Sequence, residues 1–371
     1  MYIVYHKMSL KVKVKNDKMK KKEGICMIEE NFHRQPDFEH NFLKLLRGER
    51  PERATLAELF ISKLHTEHLS RIPCPGDTVV DQMRMNISAM SYAGYDYATC
   101  HASQISFTTA KREHKQSKSL SGDALIYDWE SFEKYQWPDM SMQDYSRLEK
   151  IKPYLPDGMK LLVLGPGGVL ENVIEIVGYD NLCIMLYEEP ELVKEIFDHV
   201  GSRLVEYYEN ASSADTVGAI CSNDDWGFNT QTFLSPAAMR EYLFPWHKRI
   251  VEVAHRNGKP ILLHSCGYYG EVIDDIVNDI GYDGRHSYED NIIPVEEAYE
   301  QLNGKIAVLG GIDVHFLATK TPEEIKKRCR LMLERTWERG GYGLGSGNSI
   351  PKFVPMENYL AMLRAAHEFR P

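Results

Sequence analysis

The stretch KPILLHSCGYYGEVIDDI, Lys259–Ile276, decides the fold. An apolar run, 260–264 (PILLH), has the length of a buried strand. A Ser-Cys-Gly turn follows, and residues 269–279 then show helical spacing. Working outward, the same unit recurs. Strand-like runs fall at 55–61 (TLAELFI), 96–101 (DYATCH), 160–164 (KLLVL) and 216–221 (TVGAIC). Three more follow at 282–287 (YDGRHS), 306–311 (IAVLGG) and 341–346 (GYGLGS), and together with PILLH they make eight. Helical patterns separate them, clearest at 189–211, 236–257, 322–338 and 355–368. The helix from 322 has its own start signal. Thr321 is placed to cap it, Pro322 suits the first turn, and Glu324 can close a capping box. Pro245 is expected to kink or interrupt the 236–257 helix.

Eight strand-then-helix units predict an α/β chain folded as a (β/α)8 TIM barrel. An open doubly wound sheet is the alternative. Residues 102–155 do not alternate and read as an inserted loop region.

Composition narrows the function. The chain has 371 residues, 43% hydrophobic and 26% charged, the balance of a globular protein. No apolar run approaches the ~18 residues of a membrane span. Its net charge of −10 argues against nucleic acid as the main partner, because phosphate contacts need a basic face. Residues 1–30 are the exception: eight lysines stand there against few acids, and the segment reads as a disordered basic extension. It lacks the apolar segment of a signal peptide. Seven scattered cysteines give no disulfide framework, so a reducing, cytoplasmic setting is expected.

In a barrel, chemistry gathers at the C-terminal ends of the strands. Side chains alternate along a strand, so His264 and Cys266, two apart, aim at one point. An imidazole nitrogen and a thiolate sulfur are natural zinc ligands. The same pair would also serve as a packed histidine and an inert buried thiol. A zinc site needs further ligands, and HSYEDN offers His286, Glu289 and Asp290 at the end of the next strand. Glu289 is the oxygen ligand expected there, or else a loop anchor. Cys221 ends another strand and reads equally well as core.

CSNDDWGFN places Asp224 and Asp225 just past a strand, with Trp226 beside them. Adjacent carboxylates in extended chain point oppositely, so one of the two faces the mouth. That one is the candidate catalytic base or the group that orients a ligand histidine or substrate. Capping of a loop is the competing role. Trp226, Ser346 and Asn348 are candidate substrate-binding residues at the mouth. Asp313, in LGGID, either lines the mouth or caps the following helix. LGPGGVLEN lacks the third glycine of a dinucleotide fingerprint and the Lys-Ser/Thr of a P-loop. It reads as a strand-to-helix turn whose amides could hold an anion.

Four segments taken together, LRGERPERATLAELF, NDDWGFNTQTFLSPAAMREYLFPWHKRIVEVAHRNGKPILLHSCG, LGGIDV and GSGNSIPKFVPMENYLAM, resemble the uroporphyrinogen decarboxylase superfamily. The resemblance spans roughly 38–371, strongest after 215 and weak through 102–155. It implies a (β/α)8 barrel and two kinds of enzyme. One kind decarboxylates porphyrinogen acetate arms without a cofactor. The other uses zinc to activate a thiol and takes a methyl group from a corrinoid protein. The arginine-rich Met-Arg-Gln-Ala-Gly-Arg segment of the decarboxylases is missing, and Gly345-Ser346-Gly347 stands where they carry Gly-His-Gly. His264 and Cys266 match the His-x-Cys of the methyltransferases, which add a cysteine in the last turn, where this chain has Ser346.

The resemblance therefore implies a methyltransferase that holds Zn²⁺ through His264, Cys266 and Glu289, with Asp224 or Asp225 in support. The corrinoid would arrive on a partner protein, and the acceptor would be a small thiol. The alternatives are a decarboxylase-type carboxy-lyase and a barrel retained as a binding protein.

Overall fold

The structure of the protein, a computed structural model, describes residues 32–73, 76–109 and 124–371. The basic extension of residues 1–30 and the middle of the expected inserted loop lie outside the described residues.

Seven parallel strands form one sheet in strict chain order. They are β1 (Tyr97–His101), β2 (Lys160–Leu164), β3 (Val217–Asn223), β4 (Ile261–His264), β5 (Gly284–His286), β6 (Ala307–Leu309) and β7 (Tyr342–Gly343). Sequential order with parallel pairing requires a crossover after each strand. The clearest helices are α1 (Val79–Ala93), α2 (Val169–Val177), α3 (Pro190–Ser212), α4 (Phe244–Arg256), α5 (Pro322–Thr336) and α6 (Met356–Glu368). Strands covered on both faces should be apolar throughout. All seven positions of β3 are buried, as are Leu161, Leu162 and Val163 in β2. Each buried Val, Leu or Ile side chain among them contributes about 1.5–3 kcal/mol of transfer free energy.

Seven of the eight expected strands form. The first, 55–61, makes only isolated parallel bridges, Leu56 with Leu344 and Ile61 with Ile350. Glu58 shows why the ladder breaks. Its amide and carbonyl are both satisfied by the Tyr97 hydroxyl, at 2.8 Å each, rather than by a neighbouring backbone. The segment still touches β1 through Tyr97 and runs beside the residues that follow β7. The sheet is thus curled, with 55–61 lying between its two edges, a TIM-barrel-like α/β fold.

The helix signals resolve individually. Thr321 caps α5, and Glu324 completes the capping box. The chain before Pro245 bends through a wide-turn segment, Met239–Leu243, and Pro245 sits in the first turn of α4, where its missing N–H costs nothing. The expected helix 269–279 breaks into a short turn, Gly270–Val272, and a wide turn, Asp275–Ile280. Among the described residues, no helix is long and apolar enough to cross a membrane.

Candidate metal centre

The site forms where the ends of β3, β4 and β5 meet the turn after β7. In the β4–β5 ladder His264 pairs with His286. The ladder register carries past the strand ends, because Asp224 N donates to His264 O (2.9 Å) and Ser265 N to His286 O (2.8 Å). These bonds fix how far each strand projects.

The turn after β4 packs directly on the turn after β3. Gly267 has φ +88°, and a Cβ there would lie 2.0 Å from the Gly227 carbonyl oxygen. Only glycine permits that approach. The contact brings Asp225 to the β4 turn, where its Oδ1 accepts the Cys266 N–H at 2.8 Å. Asp225, His264 and Cys266 then offer one donor atom each, all within 4.8 Å of one another.

Two of the three are shielded from water, and Asp225 is half-buried. His264 and Cys266 are buried, and Cys266 Sγ lies 3.7 Å from His264 Nε2. Burial pushes the Cys266 thiol well above its usual range, and the nearby Asp225 and Glu289 add to the rise. Burial also holds His264 below the ordinary histidine value. Without a cation, this pocket keeps a neutral thiol beside a neutral imidazole.

The donor set suits zinc, as sulfur, nitrogen and oxygen at a strand-end turn are its ordinary partners. Two ligands of a tetrahedral zinc, sulfur at ≈ 2.3 Å and nitrogen at ≈ 2.0–2.1 Å, stand about 3.5 Å apart. The 3.7 Å between Cys266 and His264 is within a few tenths of that.

The remaining sequence candidates divide. Asp224 turns away from the trio. Its carboxylate accepts the Leu170 and Glu171 amides (3.0 and 2.9 Å) at the start of α2 and His247 Nε2 at 2.9 Å. Two of the LGPGGVLEN amides expected to be free for an anion are therefore taken by an internal carboxylate. Trp226 packs against His247 (4.9 Å between ring centres) and Phe244 (5.4 Å), inside the core. Asp313 accepts from Phe316 N and caps the short helix that follows it. Cys221 is fully buried within β3.

Glu289 stands outside the trio. It lines a small pocket beside it with Gly267, Tyr269, Ser287, Ile292 and Ile293. Burial raises its carboxyl above the usual range, and Asp313 and Asp225 raise it further. Ser346 and Asn348 part company: Ser346 Oγ donates to Glu58 Oε1 (2.9 Å), while Asn348 Nδ2 donates to Cys266 Sγ (3.0 Å).

Glu58, Arg285 and Glu171 near the centre escaped sequence reasoning, and His286, offered there as a ligand, takes a different role. Glu58 is fully buried and accepts from Leu59 N, Ser346 N and Ser346 Oγ. Burial nonetheless pushes its carboxyl up to about 7. Its signal was a lone acid inside the apolar run TLAELFI. His286 bonds His264, Nδ1 to Nδ1, at 2.7 Å. Arg285 is fully buried, lies 3.6 Å from the Tyr269 ring centre, and donates to the Ser287 and Ser265 carbonyls. The half-buried Glu171 carboxyl is pushed upward by desolvation and then by Asp225 and Asp224.

Comparison with known proteins gives a consistent family. The sequence model "Uroporphyrinogen decarboxylase (URO-D)" matches residues 149–369. Two relatives named uroporphyrinogen decarboxylase are from Anaeromyxobacter sp. (strain Fw109-5) and Methylococcus capsulatus. They are 27% identical over 237 residues and 28% identical over 189 residues, respectively. Those matches cover 60% and 51% of this chain but only 65% and 52% of the relatives. Among solved structures, a methyltransferase from Methanosarcina mazei superposes with a TM-score of 0.65 at 17% identity, covering 88% of this chain and 97% of its own. The likeness to that structure speaks for the fold. The family match covers more than half of the chain, and with it the strands that carry the site: this protein belongs to the uroporphyrinogen decarboxylase family.

Proposed function

We propose that the chain is a zinc-dependent methyltransferase, a single (β/α)8 barrel over residues 38–371, that moves a methyl group from a corrinoid-carrying partner protein to a thiol. The observation that carries the reading is the convergence of Asp225, His264 and Cys266 within 4.8 Å in a buried strand-end pocket. Asp225, His264 and Cys266 would hold Zn²⁺, with Asn348 and Glu289 beside them. Bound there, zinc would supply a Lewis acid that lowers the pKa of an incoming thiol.

The chain's own residues do the rest. Asn348 donates to the Cys266 sulfur and favours its thiolate form. Asp225 holds the backbone of Cys266 and so aims its sulfur. The apolar walls exclude water, which keeps an attacking thiolate poorly solvated and nucleophilic. Ser287, whose hydroxyl lies 3.7 Å from Cys266 Sγ, and the small pocket at Tyr269 and Glu289 mark the side from which an acceptor would approach.

A second reading, a decarboxylase-type carboxy-lyase, draws on the names of the curated relatives. Metal analysis of the purified protein separates the two. Stoichiometric zinc, lost in Cys266→Ser and His264→Ala, with thiol-dependent demethylation of methylcobalamin, supports methyl transfer. Metal-free protein that decarboxylates uroporphyrinogen overturns it.

A further inference from the structure

We infer that His286 is a positioning residue: it fixes the tautomer of His264 so that Nε2 meets the metal pocket with its lone pair. The inference rests on the zinc reading for its purpose, and on hydrogen-bond direction for its content.

The direction can be read from one end. The Ser346 carbonyl oxygen can only accept. His286 Nε2, 3.2 Å away, therefore donates to it and carries a proton. A neutral imidazole has one N–H, so His286 Nδ1 is then an acceptor. His264 Nδ1 stands 2.7 Å from it and must supply the proton. His264 Nε2 is left with a lone pair, on the side facing Cys266 Sγ at 3.7 Å. The reverse arrangement would need His286 protonated at both nitrogens. That ring is fully enclosed, and its hydrogen-bond partners are a carbonyl and a second ring, with no carboxylate among them to balance a charge.

The far end of the relay is rigid. The Ser346 carbonyl also accepts Gly311 N at 2.9 Å. Ser346 N and Oγ are both held by Glu58, at 3.1 and 2.9 Å. Gly310 makes the space, since a Cβ there would lie 2.2 Å from Ser346 O and 2.9 Å from the His286 ring. A ligand histidine normally gives its second N–H to a carboxylate, carbonyl or water. Here the acceptor is a neutral ring, which aligns His264 without adding negative charge. A thiolate and one carboxylate then balance a divalent cation.

The test uses the full chain, metal-free, with ¹⁵N-labelled histidine. Long-range ¹H–¹⁵N ring correlations report which nitrogen of each ring is protonated. His264 protonated at Nδ1 and His286 at Nε2 is the expected result. His264 protonated at Nε2 overturns the inference. Zinc titration against a chromophoric chelator gives the second readout. His286→Ala should weaken zinc roughly 10- to 100-fold, and His286→Gln, whose amide oxygen can accept from His264, should recover much of the loss. Zinc bound by His286→Ala as tightly as by the parent protein also overturns it. Should no form bind zinc, the methyltransferase reading fails, and the ring tautomers still decide this one. The wild-type spectrum decides too if His286→Ala does not fold.

Discussion

Asn348 and Cys266, 82 positions apart, meet through a 3.0 Å contact between amide nitrogen and sulfur. Ser346, two residues earlier in the same turn, faces Glu58 instead. The side chain that could complete a zinc shell from this turn is therefore the one at 348. Asn348→Cys should tighten zinc binding at least about tenfold by replacing a weak donor with a thiolate. Ser346→Cys should leave affinity unchanged or lower it by disturbing Glu58. Chelator-competition titrations of both variants check this, and tighter binding in Ser346→Cys alone would reverse the assignment.

Asp224 and Asp225 should separate by phenotype. Asp224→Ala leaves two α2 amides and His247 without their shared acceptor, at a cost of about 1–3 kcal/mol for each buried donor left unsatisfied. Whatever fraction folds should still bind zinc. Asp225→Asn can keep the bond from Cys266 N, so its stability should change little while zinc affinity drops. Urea denaturation and zinc titration, run side by side, give the comparison.

Gly267→Ala should be severe despite its single added methyl group. The new Cβ would lie 2.0 Å from the Gly227 carbonyl, at φ +88°. Strain and overpacking together should cost about 3 kcal/mol or more, and the displaced turn should carry Cys266 off Asp225. A thermal melt no lower than that of the parent protein would refute it.

Glu58 gives stability a pH signature. Its carboxyl is raised to about 7 in the folded protein, against about 4.3 in an unfolded chain. The folded state therefore holds an extra proton between these values. Its contribution is complete below about pH 4 and is lost as pH rises through 7, on the order of 3 kcal/mol. Glu58→Gln removes this titration. The difference in melting temperature between Glu58→Gln and the parent should change across pH 4 to 8; a constant difference would rule out the shift.

Zinc affinity should itself depend on pH. The Cys266 thiol is held well above its usual range by burial, and a ligand must be a thiolate. Apparent affinity should climb about tenfold per pH unit near neutrality, with one proton released per zinc. Calorimetry in buffers of different ionisation enthalpy counts that proton.

Strand ends were the legible part of the site. His264 and Cys266 could be aimed at one point, with Asp224 or Asp225 beside them, because alternation and strand-end placement are local properties; which aspartate turns inward is not. His286 lay in plain view at the end of β5, but its role depends on β4–β5 register, which no local pattern encodes. Glu289 was the more obvious ligand by type, and the chain beyond β5 sets it to one side. Glu58 was hidden, and Asn348, expected only to touch substrate alongside Ser346, could not be told apart from it, for different reasons. Glu58 belongs to a segment whose ladder is replaced by a tyrosine hydroxyl. Asn348 lies in a glycine-rich turn, where the two-residue alternation of a strand no longer says which side chain faces in.

The meeting of 55–61 with the residues after β7 has a consequence for how the protein is made. Asp225, His264 and Cys266 leave the ribosome well before Ser346 and Asn348. Until Leu344 reaches Leu56, a nascent chain has the three candidate ligand side chains but neither the Ser346 carbonyl that His286 meets nor the amide that covers the sulfur. If the centre takes a metal, an ion met before that point would find an unfinished site, so faithful loading would wait until the two ends of the sheet have met.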